Sequence, residues 1–134
     1  MIRRLAAAYF GGAVGGVANT LALFVAGQMG LLALLGVHLA PSLAWPNFST
    51  RILWGGLWGL GFPLATRLAP GSPDRAGLLL SLAPAAAQLL YFFPHRGGGW
   101  LGLEHGWATP GVVLLANALW GFVTARTAVA AGGR

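Results

Sequence analysis

Few side chains in this 134-residue sequence could do chemistry, and their types are one-sided. There are eight arginines, no lysine, no cysteine, three histidines and two carboxylates, Asp74 and Glu104. Without cysteine there is no disulfide, no thiolate nucleophile and no thiolate-bound metal. The histidines, His38, His95 and His105, fall with Glu104 between apolar runs. Imidazoles beside a carboxylate suit zinc, copper or iron, but the spacing of these four forms no compact ligand motif, so neither metal nor cofactor is assigned. A hydrolase would want a serine with a base, or paired acids; no histidine or carboxylate is expected beside Ser81, and no enzyme activity is expected.

Uncharged polar side chains inside the apolar runs form the second candidate set: Asn19, Thr20, Gln28, Ser81, Gln88 and Asn117. Asn19 and Asn117 come at similar distances from charged chain ends, so their amides can meet between helices. Two readings stand. Buried amides hydrogen-bond across helices and hold them together, or Asn19, Gln28, Gln88 and Asn117 line a path for a small solute. No carboxylate falls inside an apolar run, which argues against an ion-coupled transporter needing a membrane-embedded acid.

The elements that must position these residues are membrane helices. With 57% hydrophobic and 7% charged residues, the chain cannot clothe a water-exposed globule. Its net charge of +6 comes from singly scattered arginines, not from the clusters of a nucleic-acid binder. Apolar residues continue over 5–40, too far for the short core of a signal peptide after Arg3 and Arg4. The expected fold is an all-α integral membrane four-helix bundle forming one domain over 1–134, with spans at about 5–27, 50–69, 74–93 and 110–130. The first segment is long enough to bend near Gly27 or Gly30, or to be followed by a short interfacial helix before Pro41. Asn47 or Ser49 is expected to cap the second span and Pro63 to kink it; Ser72-Pro73-Asp74 and Thr109-Pro110 open the third and fourth.

Charge tests the count. Four crossings put Arg3, Arg4, Arg67, Arg75, Arg126 and Arg134 on one side and Arg51 and Arg96 on the other, so both termini are expected in the cytoplasm of a bacterial inner membrane. Trp45, Trp54, Trp100 and Trp107 then fall at the outer interface, where amphipathic rings prefer to sit. Glycines four apart, Gly11 with Gly15, Gly12 with Gly16, and Gly55 with Gly59, allow close helix approach in lipid. The outer loop, 94–108, carries His95, Gly97-Gly98-Gly99, Trp100, Glu104, His105 and Trp107. It reads as a segment anchored by tryptophans, or as a lid or docking surface; with no strand before it and no Gly-Lys-Ser/Thr after it, it is not a phosphate loop.

Asn47-Phe48-Ser49-Thr50-Arg51 and Gly11-Gly12-Ala13-Val14-Gly15-Gly16 resemble elements of small four-span fluoride channels. In that family the Phe-Ser-Thr element breaks the third span, whereas here it precedes the second, and the arginine bias departs from the family's dual topology. The glycine-rich stretch at 11–17 and Leu119-Trp120-Gly121 are similar in layout to the YagU-like small bacterial inner-membrane proteins. That resemblance implies a four-span helical fold and no settled activity. The leading expectation is a non-enzymatic multispan protein acting as an accessory subunit or homo-oligomer, with the lipid bilayer and a larger membrane complex as partners. The alternative is a small channel or carrier for a neutral solute or weakly hydrated ion.

Overall fold

The computed structural model describes residues 1–132, and among them every regular element is helical. Helix α1 (Ile2–Gln28) is followed by the one-turn α2 (Leu31–Leu34), then α3 (Asn47–Gly59), α4 (Phe62–Leu68) and α5 (Pro73–Ala87). A π-helical turn (Gln88–Phe92) carries α5 into the short α6 (Phe93–His95); a 3-10 helix (Trp100–His105) precedes α7 (Thr109–Ala130). Three helices are long and apolar enough to cross a membrane: Ile2–Gln28, Pro73–His95 and Thr109–Ala130.

The second expected span is broken rather than merely kinked, so neither half reaches that length. Pro63 has no N–H to donate into the preceding turn, and the ladder tightens there, with Leu60 N on Leu57 O (3.2 Å) and Gly61 N on Trp58 O (3.0 Å). The first segment does end in a bend. Gly30, at φ +79°, closes α1 in the left-handed region, and α2 turns away after it. Ser72 caps α5 by accepting from Arg75 N at 3.5 Å, with Pro73 and Asp74 in the first turn as expected. The other expected caps are not formed. Pro46 precedes α3, where Ser49 Oγ donates to the Pro46 carbonyl (2.8 Å) and Asn47 Nδ2 to the Ser42 carbonyl (3.5 Å). Ala108 precedes α7, and the buried Thr109 hydroxyl has no partner.

Packing rests on glycine. Gly12 of α1 lies against Gly55 and Gly59 of α3 so closely that a Cβ on Gly59 would stand 2.5 Å from the Ala8 carbonyl oxygen. The opposite edge of α1 meets α7: a Cβ on Gly11 would lie 2.6 Å from Thr124 O, and one on Gly15 2.8 Å from the Trp120 ring. Gly77 of α5 meets Gly121 of α7 in the same way. Each interface is antiparallel, since low numbers on one helix oppose high numbers on the other. Thr20, Thr124 and Ser81 donate their hydroxyls to carbonyls of their own helices, which satisfies them without water. The apolar core gathers Ala8, Phe62, Ala65, Ala76, Ala125 and Ala128. These close contacts bring Arg3 beside Gly132, so the two ends of the described chain lie together.

Candidate functional site

Toward the end of the fold remote from the termini, the interface positions are no longer glycine. On α1 the residue facing α7 becomes Asn19; on α7, Asn117 and Ala116; on the last turn leaving α5, Gln88; on the first turn of α3, Arg51. The α3 backbone still meets Gly16 of α1 at Arg51, and beside that contact two adjoining cavities open between the helices, of about 140 and 250 Å³. Asn19, Arg51, Gln88 and Asn117 line both, forming a shared polar wall. Beyond it, Leu23, Leu39, Val112 and Phe93 close the smaller cavity. Trp54, Trp58, Trp120 and Phe92 flank the larger one, and the exposed Arg96 stands at its edge, held over the Phe92 ring at 5.2 Å.

Hydrogen bonds orient the amides. Asn19 Nδ2 donates to Ala116 O (2.8 Å), and Asn117 Nδ2 donates to Val113 O (2.9 Å). A carbonyl can only accept, so neither amide can be flipped. Asn117 Nδ2 also donates to Gln88 Oε1 (3.2 Å), which leaves Gln88 Nε2 and the second N–H of Asn19 as donors and both asparagine Oδ1 atoms as acceptors. Trp120 Nε1 is committed to Gly12 O (3.0 Å). Arg51 is half-buried, and no carboxylate pairs with it among the described residues: Asp74 is taken by Arg126 in a bidentate pair (2.8 and 2.7 Å), and Glu104 is exposed on the 3-10 helix.

Of the polar candidates, three of four come together: Asn19, Gln88 and Asn117. Asn19 and Asn117 share the wall but bond to separate carbonyls, not to each other. Gln28 is exposed at the last turn of α1 and lines neither cavity. The outer-face candidates disperse. His95 Nδ1 lies 2.7 Å from Tyr91 O with its ring stacked on Tyr91, His105 packs against Phe93, and His38 is tied through its backbone N–H to His105 O at 2.6 Å. No three of the described His, Asp or Glu side chains are grouped to hold a metal ion. Trp100 and Trp107 are exposed. The helix-packing glycines Gly11, Gly15, Gly55 and Gly59 all face neighbouring helices of the same chain. Arg51 joins the wall although the sequence marks it only through charge balance and the Asn47–Arg51 stretch, not as a polar candidate. Its signal was a cation one turn inside an apolar run, with Trp54, Gly55 and Trp58 following on the same helical face.

Fold and site together describe a small helical protein of membrane character with a polar chamber between its helices. Compared with known protein families, characterised proteins and solved structures, the chain matches none of them.

Proposed function

We propose that this protein is a non-enzymatic, four-span inner-membrane protein that binds a small solute in the chamber walled by Asn19, Arg51, Gln88 and Asn117, and lets it pass. The observation carrying this reading is the convergence of four polar side chains, from four helical segments, on cavities of about 140 and 250 Å³. Gln88 Nε2, one N–H of Asn19 and two Oδ1 atoms remain unspent among the residues lining this volume. The accessory-subunit reading loses one of its supports here, because the small-residue faces of α1 and α3 are used up within the chain. No serine, histidine or carboxylate lines either cavity, which supports a binding role over hydrolysis. Orientation follows from arginine placement: Arg3, Arg4, Arg67, Arg75 and Arg126 on the cytoplasmic side, with the chamber nearer the opposite face.

Proteoliposomes loaded with a panel of small neutral and anionic solutes test it. At least one solute is expected to leave faster than from protein-free vesicles, and Asn117→Leu, which fills the chamber with an apolar side chain, is expected to slow it to background. No difference from protein-free vesicles for any solute overturns the reading.

A further inference from the structure

An unpaired guanidinium at the wall of this chamber restricts what can occupy it. Arg51 sits one turn into α3, half-buried, in a space shared with a second cation, Arg96, at its edge. Partly desolvated cations without counter-charges are costly, and the cost falls when an anion enters. The amides then add a second condition. Asn117 gives both its N–H groups away, to Val113 O and Gln88 Oε1, and Asn19 gives one to Ala116 O, so each asparagine of the wall keeps an Oδ1 free to accept. A bare halide has no donor to offer those oxygens. An occupant suited to every group accepts from Arg51 and Gln88 Nε2 and donates to an asparagine oxygen.

Resting on the solute-chamber reading above, we infer that the occupant is a small organic monoanion carrying its own hydrogen-bond donor, such as a 2-hydroxy carboxylate. The carboxylate matches the fork of a guanidinium in two parallel N–H···O bonds. The hydroxyl on the adjacent carbon donates to Asn19 or Asn117 Oδ1. The short carbon body lies against the Trp54, Trp58 and Phe92 rings. A cavity of about 250 Å³ holds a ligand of this size.

Three tryptophans line the larger cavity, so intrinsic fluorescence of the full chain in detergent micelles reports binding directly. The probes are glycolate, acetate, chloride, octanoate and ethylene glycol at constant ionic strength. Glycolate is expected to bind about tenfold tighter than acetate, one hydrogen bond's worth of affinity, and chloride and ethylene glycol to bind more weakly still. Arg51→Gln is expected to weaken glycolate about tenfold or more without changing the unfolding temperature, and Arg96→Gln to weaken it a few-fold. Equal binding of glycolate and ethylene glycol, unaffected by Arg51→Gln, overturns the anion assignment while the solute chamber stands. Glycolate no tighter than acetate, or octanoate tighter than glycolate, overturns the assignment of the donor group. Absence of any quenching, together with absence of flux, overturns both.

Discussion

Replacing Gly59 by alanine tests whether the helices approach as closely as the glycine contacts require. The new Cβ would lie 2.5 Å from the Ala8 carbonyl oxygen and 2.8 Å from Gly12 Cα. Both neighbours are backbone, so no rotamer change relieves the clash. Restoring ordinary contact, which begins near 3.4 Å, means moving α3 off α1 by about 0.9 Å. A gap of that size forfeits roughly a quarter to a half of the dispersion attraction along the seam, and overpacking of this kind costs about 1–3 kcal/mol. Alanine returns roughly 0.5–1 kcal/mol through its higher helix propensity. The net loss, up to about 2.5 kcal/mol, lowers the unfolding temperature by up to about 10 °C for a chain of this length. Two further glycines grade the effect. A Cβ on Gly61 meets the end of the Leu80 side chain at 2.9 Å and Trp58 O only at 3.3 Å, and one on Gly111 meets nothing within 4 Å. Unfolding followed by circular dichroism in detergent should therefore rank Gly59→Ala lowest, Gly61→Ala near the parent and Gly111→Ala slightly above it. Gly59→Ala matching or exceeding Gly111→Ala would refute the close seam between α1 and α3.

Four other outcomes follow from the same contacts. Trp120→Phe removes the bond to Gly12 O and part of a buried ring, and is expected to cost about 1–3 kcal/mol in the same unfolding assay. Asp74→Asn breaks the pair with Arg126, but Arg126 is exposed, so the unfolding temperature is expected to stay within scatter at physiological salt. Asn117→Leu takes away the donor that orients Gln88, and is expected to abolish tryptophan quenching by glycolate while the helical circular dichroism is retained. Reporter fusions are expected to put both chain ends in the cytoplasm and residue 98 outside; ends on opposite faces would refute the four-span reading.

Much of the helical layout was legible because composition and apolar run length restrict a chain in lipid to few solutions. The bend at Gly30 and the opening Ser72-Pro73-Asp74 could be read locally, since each depends on a residue and its own turn. The break at Leu60 and Gly61 was only half legible: Pro63 announces a lost bond, but not whether the helix bends or stops. Thr109 looked like a cap because threonine before proline usually is one; the helix begins a residue earlier in space, and the hydroxyl is left buried. Gln28 was grouped with Asn19 by residue type, yet nine positions along a helix amount to two and a half turns, which turns the side chain to another face.

The site's position follows from a gradient in side-chain size that no single residue reveals. From Ala8, Gly11 and Gly12 the facing residues of α1 pass through Gly15 and Gly16 to Asn19, while α3 passes backward from Gly59 and Gly55 to Arg51. Where both partners are glycine, the backbones touch and the seam is dry. Farther along, α1 and α7 carry amides, and the Arg51 side chain leaves α3 although its backbone still meets Gly16; these polar groups line the space between the helices. The α5–α7 pair repeats the pattern from Gly77 and Gly121 to Gln88 and Asn117. The glycine seams fix the helices whose far ends carry the lining residues. A substitution that loosens the glycine end should therefore alter solute affinity at the far end without touching a lining residue, which makes Gly77→Ala a probe of the seam distinct from Asn117→Leu.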